Sequence, residues 1–309
     1  MTRFHVWAKS AGGACLLALA ACQTPTTSDA RPFDEPADSA PGESIVVAGK
    51  HIPIGAPVVL WSDLRGFDGY RNGLAERGFG ESRGNTVSEL GQVIDQFVLH
   101  YDASSLSRVC FRTLKQRGLS VHFLLDLDGT LYQTLDLAET AWHATVANGR
   151  SVGVEIANIG AYAPGNDTLD EWYPTDAAGP WVRLPEGYGE SGVMTAGYVG
   201  RPARPQRIEG TINGNALEQH DLTAEQYDTL TKLAAALCRT FPQIRADAPR
   251  DASGGVRMEA LSEIEFSAFH GILGHQHVQA NKVDPGPAFD WERFLLDVRS
   301  EIERGGARP

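Results

Sequence analysis

Short apolar runs alternate with amphipathic stretches through most of the chain beyond residue 95. Phe97 to Tyr101 reads as a first strand. Ser104 to Arg117 sets Leu106, Cys110 and Leu114 at intervals of four, which predicts a helix stopped by Gly118. Val121 to Asp126 and Leu131 to Leu135 flank Asp128-Gly129, a strong hairpin signal. In Ser151 to Ile159, Val152, Val154 and Ile156 alternate with Gly153, Glu155 and Ala157, so Glu155 points away from the apolar face of that strand. Thr223-Ala224-Glu225-Gln226 has the form of a capping box. It opens a helix that buries Tyr227, Leu230, Ala234, Leu237, Cys238 and Phe241 before Pro242. A last helix from Asp290 puts Phe294, Val298 and Ile302 on one side. Strands interleaved with helices predict an α/β fold, a central sheet covered by helices.

Elsewhere the pattern fails in informative ways. Arg3 and Lys9 precede an apolar run from Ala14 to Ala21, too short to span a bilayer and built like a secretory signal. Its end, Leu19-Ala20-Ala21-Cys22, resembles the lipobox of bacterial lipoproteins, which implies lipid on Cys22. Gln23, rather than Asp, then implies an outer-membrane lipoprotein facing the periplasm of a Gram-negative bacterium. The expected organisation is a signal over 1–21, a disordered tether over 22–44 with almost nothing to bury, an N-terminal arm over 45–84, and the main domain over 85–309. The prolines in Ile52 to Trp61 argue for an ordered arm rather than a central strand. Ala161 to Gly214 is rich in Gly, Pro and aromatic residues without a period, and reads as a long insertion after the Glu155 strand.

A net charge of -12 argues against nucleic acid as a partner, because phosphate binding needs a basic face. A hydrophobic share of 42% is enough to fill a core. Beyond the leader the chain keeps Cys110 and Cys238, both on apolar helix stripes. They either pair or remain two buried thiols.

The chemistry lies in residues far apart in the sequence. His100 ends an apolar strand, and Gly274-His275-Gln276-His277 leads through Lys282 to Asp284-Pro285-Gly286. His100, His275 and Asp284 offer two imidazoles and a carboxylate, a set that suits zinc and leaves a fourth position for water. Taken singly, each has a bland explanation as a surface His or a turn Asp. Together with Glu155, Lys282, His122-Phe123, Asp128-Gly129-Thr130 and Ala141-Trp142-His143-Ala144, they resemble the zinc-dependent N-acetylmuramoyl-L-alanine amidases. That family includes muropeptide-recycling amidases, phage amidase lysozymes and peptidoglycan recognition proteins.

The resemblance covers most of residues 95–294 apart from the insertion. It implies a mixed central sheet flanked by helices, with His100, His275 and Asp284 holding Zn2+. It further implies Glu155 as catalytic carboxylate, Lys282 as charge stabiliser, and His143 lining the pocket. The implied substrate is peptidoglycan or a muropeptide, cut between N-acetylmuramic acid and L-alanine for cell-wall turnover or recycling. One departure stands out. The family commonly has His-Arg-Asp-Val-Ser-Pro with the last ligand ten residues on, whereas here His277 replaces the Asp, Ala280 replaces the Pro, and the spacing is nine. His277 is therefore a rival to His275. Trp172, Trp181 and Arg201 are candidates for a substrate-binding lid, since aromatic faces and guanidinium groups suit sugars and carboxylates. Two other functions compete: muropeptide recognition without cleavage, and zinc-dependent hydrolysis of another periplasmic amide.

Overall fold

The computed structural model describes residues 40–71, 82–188 and 192–306. The leader and Cys22 lie outside the described residues. The strands are β1 (Gly42–Val47), β2 (Lys50–Leu60), β3 (Gln96–Tyr101), β4 (Phe123–Leu125), β5 (Leu131–Gln133), β6 (Ser151–Ile156), β7 (Thr175–Asp176), β8 (Gly179–Pro180), β9 (Ile208–Ile212), β10 (Asn215–Gln219) and β11 (Gly271–Gly274). The helices are α1 (Val87–Val93), α2 (Ser107–Arg117), α3 (Thr168–Trp172), α4 (Ala224–Thr240), α5 (Glu263–Ala268), α6 (His275–Val278) and α7 (Trp291–Gly306). A seven-stranded mixed sheet runs β1-β2-β5-β4-β6-β3-β11, with β4, β6, β3 and β11 parallel. This is the α/β architecture expected, with helices on both faces of the sheet.

The local signals act as their chemistry requires. Gly118 caps α2 in the left-handed region, at φ 61° and ψ 38°, where it accepts no Cβ penalty. Thr223 and Gln226 form the reciprocal capping box of α4. On one face of the sheet Phe97, Leu99, Phe123, Leu125, Val152, Val154 and Ile156 meet Leu230, Leu233 and Leu237 of α4 and Phe294, Leu295 and Val298 of α7. Each such fully buried side chain contributes roughly 1.5–3 kcal/mol. The opposite face packs Val59, Leu124 and Tyr132 against Cys110 and Leu114 of α2. Cys110 and Cys238 thus belong to different clusters, and both are free thiols.

The segment expected as an arm is part of the sheet. β1 and β2 form a hairpin whose second strand pairs with β5, but only over Val58–Leu60. Upstream of Val58 one edge of β2 therefore lacks that neighbour, so Pro53 and Pro57, both exposed, occupy positions where a missing N–H costs little. Ile54, Ala56 and Val58 alternate with them and are buried. The expected tether also ends earlier than residue 44, since β1 begins at Gly42.

Candidate functional site

Parallel pairing of β3 with β6 and β11 gathers the site at the carboxyl ends of three strands, a common position for ligands in open α/β sheets. His100 is the direct register partner of Glu155, and Leu99 that of Gly274, so His275 follows at the end of the neighbouring strand. His100 and Glu155 share the face turned away from α4 and α7, because Leu99, Val154 and Ile156 supply the other. Asp284 approaches across Gly274. A Cβ there would lie 2.6 Å from the Pro285 ring, so only glycine lets the loop come this close.

His100 Nδ1, His275 Nδ1 and Asp284 Oδ2 form a triangle with sides of 3.0, 2.9 and 3.1 Å. The three residues are 2%, 6% and 8% exposed. On the outer side His275 Nε2 lies 2.9 Å from Gln279 Oε1, an acceptor, which leaves its Nδ1 bare in the neutral ring. Two lone pairs, on His275 Nδ1 and Asp284 Oδ2, then face each other 3.1 Å apart. No placement of ring protons satisfies all three contacts, whereas a cation between them does. Neighbouring ligands of a tetrahedral ion with bonds of about 2.0–2.1 Å are roughly 3.3 Å apart, so the triangle needs to open by only a few tenths of an ångström. These residues fit a divalent metal.

Charge agrees with that fit. Burial, and then His275, push the His100 imidazole down to about 4, so it is neutral at neutral pH. Burial alone would raise the Asp284 carboxyl, but the His100 and His275 imidazoles against it hold it well below the ordinary carboxylate range. Glu155 is half-buried; burial, then Asp284 and Asp102, push its carboxyl well above the usual range, while Lys282 opposes them. The Lys282 ammonium has no hydrogen bond or ion pair with the described residues, and its charge acts on both Glu155 and His100.

His143 supports the triangle from behind. Its Nδ1 lies 2.9 Å from His100 Nε2, and its Nε2 lies 3.2 Å from Ser151 Oγ. Such a partner on the far nitrogen fixes the ring that ligates. Gly153 makes the contact sterically possible, because a Cβ there would stand 2.5 Å from the His143 ring. His277, the rival ligand, is satisfied on both nitrogens: Nδ1 accepts from Gly274 N at 2.9 Å and Nε2 donates to Arg257 O at 2.6 Å. Its ring packs against Trp291 and has no free donor atom for the triangle. The one group of three converging side chains among the described residues that could hold a metal ion is His100, His275 and Asp284.

His122 is structural in its contacts. It is fully buried, accepts from Gly153 N at 3.2 Å, and sits 3.1 Å from Arg83 Nη2. Burial, then Arg83, push its imidazole down to about 3. A neutral buried His contributes stability that is full above the unfolded value of about 6.5 and is lost as pH falls towards 3, at up to about 1.4 kcal/mol per pH unit. Asp102, pushed up to about 6 by burial, works in the opposite sense but is common to wild type and variant. His122→Gln should therefore flatten the decline in urea midpoint between pH 6 and 4; equal slopes in both proteins would show that His122 is not held neutral.

The described part of the insertion packs around a small core of Leu127, Ala157, Ile159, Leu169, Tyr173 and Val182. Trp172 meets Tyr188 edge-on at 6.0 Å. The Arg201 guanidinium is taken up by Asp176 at 2.6 Å and by two carbonyls, and Arg207 by Asp170 and Glu218. No hydrogen bond, ion pair or ring contact among the described residues joins Trp172, Trp181 or Arg201 to the metal-binding triangle. Sequence reading missed Gln279, which orients His275, and the β9–β10 hairpin. The Asn213-Gly214 pair at its turn was the available signal.

Residues 90–184 match the family model described as N-acetylmuramoyl-L-alanine amidase. The match contains His100, His143 and Glu155; His275, Lys282 and Asp284 lie beyond it. No curated protein matches the chain. Among solved structures the chain is similar to E. coli AmiD in complex with anhydro-N-acetylmuramic acid-L-Ala-D-gamma-Glu-L-Lys, at 17% identity over 66% of this chain and 57% of that one, TM-score 0.36. It is also similar to an AmpD derivative, at 17% identity over 67% and 86%, TM-score 0.34. Staphylococcus aureus AmiA is a third, at 12% identity over 82% and 86%, TM-score 0.38.

Proposed function

We propose, for a chain whose residues 90–184 belong to the N-acetylmuramoyl-L-alanine amidase family, that it hydrolyses the amide between N-acetylmuramic acid and L-alanine with zinc as cofactor. The observation that carries this reading is the convergence of His100, His275 and Asp284 beside Glu155, four side chains from two strands, one helical turn and one loop. Zinc held by these three residues would supply Lewis acidity towards the amide carbonyl and the attacking water.

The chain's own residues supply the rest. Glu155, raised towards protonation by its burial, is suited to accept a proton from water at its carboxylate and return it to the departing L-alanine nitrogen. Lys282 offers a positive charge, with no competing partner among the described residues, to the oxygen that gains negative charge. His143 holds the His100 ring through its Nε2. An interior that keeps the His100 imidazole neutral and Asp284 ionised presents donor atoms ready for a dication at neutral pH.

Purified protein incubated with muropeptides should release stem peptides beginning at L-alanine, identified by mass spectrometry. Chelator should abolish release and added zinc restore it. Intact muropeptides in the presence of a filled metal site would overturn the hydrolytic reading and favour recognition without cleavage.

A further inference from the structure

The loop from His275 to Asp284 carries both ligands of that strand end and Lys282 between them, yet α6 is a single four-residue turn with little of its own to hold it. Part of what holds it comes from the β9–β10 hairpin. β9 and β10 pair antiparallel about Asn213-Gly214, with Asn213 at φ 48° and Gly214 at φ 77°, the two positive values that a tight hairpin turn requires. The turn points its amide at the loop. Asn213 Nδ2 donates to Lys282 O at 2.7 Å and to Gln276 O at 3.1 Å, with Gln279 O at 3.5 Å. Its Oδ1 accepts from Ala260 N at 2.7 Å, which fixes the orientation of the amide.

The other end of the hairpin grips the same loop further on. Gln219 donates to Pro285 O at 3.1 Å and accepts from Ala288 N at 3.1 Å. Gly286, at φ 95°, leaves the space that Gln219 fills, since a Cβ there would stand 1.9 Å from Gln219 Oε1. Within the loop, Lys282 N donates to Gln279 O, and Gln279 in turn faces His275 Nε2. A displacement at Asn213 is therefore passed to the Lys282 backbone and to the ring of a metal ligand.

We infer that the β9–β10 hairpin is a brace for the catalytic loop and that Asn213 is a positioning residue, setting metal retention and the placement of Lys282. The inference rests on the amidase reading for its catalytic half and on the hydrogen bonds alone for its structural half. β9 and β10 lie beyond the segment matched to the family.

Two variants of the full-length protein separate side chain from turn. Asn213→Gly keeps the left-handed backbone free and deletes the amide; Asn213→Asp keeps the size but sets a carboxylate against two or three carbonyls. Both should speed deuterium exchange of amides 276–284 in the metal-free chain. Both should raise zinc loss to a competing chelator about 10–100-fold, the range for removing a partner that orients a ligand. kcat on muropeptide should fall at least tenfold with KM and the unfolding midpoint near wild type. Unchanged exchange together with unchanged zinc retention would overturn the brace. A shifted midpoint with normal kcat would reduce Asn213 to a merely structural role and equally overturn the proposal. Wild type that takes up no zinc would instead sink the amidase reading, while the exchange result still decides the structural half.

Discussion

His275→Ala is expected to abolish metal binding and reduce amide hydrolysis to background, whereas His277→Gln should keep a full complement of zinc. The two imidazoles are two residues apart but differ completely in what they face. His275 Nδ1 meets only His100 Nδ1 and Asp284 Oδ2, at 3.0 and 3.1 Å, contacts that no single ring proton satisfies together. His277 instead spends both nitrogens on backbone groups. Loss of His277 leaves Gly274 N without its acceptor and Arg257 O without its donor. Each buried unpaired group costs roughly 1–3 kcal/mol, so the expected defect is in stability. Elemental analysis after dialysis and a urea unfolding curve separate the two outcomes. Metal lost from the His277 variant and kept by the His275 variant would reverse the ligand assignment.

Glu155→Gln should bind zinc as tightly as wild type and lose about 10²–10⁴ in kcat. Glutamine has the same shape and still fits beside His100, but it can neither accept nor return a proton, and general acid–base assistance is worth about that factor. Lys282→Ala should lose about 10²–10³, the usual cost of removing a group that stabilises developing negative charge. The distinguishing observation is that both variants retain metal. A Glu155 variant turning over at near the wild-type rate would move the proton-transfer role elsewhere, with no other carboxylate in register with His100 to take it.

Which parts of this were readable beforehand follows from the range of the interactions. The α2 stop at Gly118, the Asp128-Gly129 hairpin and the Thr223 capping box are local, and each is encoded within four or five residues. The face of Glu155 was also readable, because alternation along one strand decides it. His100 and Asp284 are 184 residues apart. What brings them together is parallel pairing of β3 with β11, which no local pattern specifies, so residue types together with the family resemblance proposed them. The Gly274-His275 context favoured His275 over His277, but the contact that takes His277 out of the contest, the distant carbonyl of Arg257, is not legible locally. Prolines misled the reading of β2 because they report a missing N–H without showing which edge of the strand is bare. Gly153 likewise looked like an ordinary strand residue until His143 was seen lying on it.

β11 has one more consequence. It is an edge strand of the sheet, paired among the described residues with β3 alone, and it leads into His275, whose imidazole meets that of His100 on β3. A bound dication would act as a staple across a 175-residue span of chain. Staples that close long spans remove the most freedom from the unfolded chain, with a cost that grows as the logarithm of span length. Since the unfolded chain has no preformed site, binding energy becomes folding energy for that edge. Metal supply would then govern how firmly the outer strand is sewn to the sheet, making the cofactor part of the protein's architecture as well as its reagent.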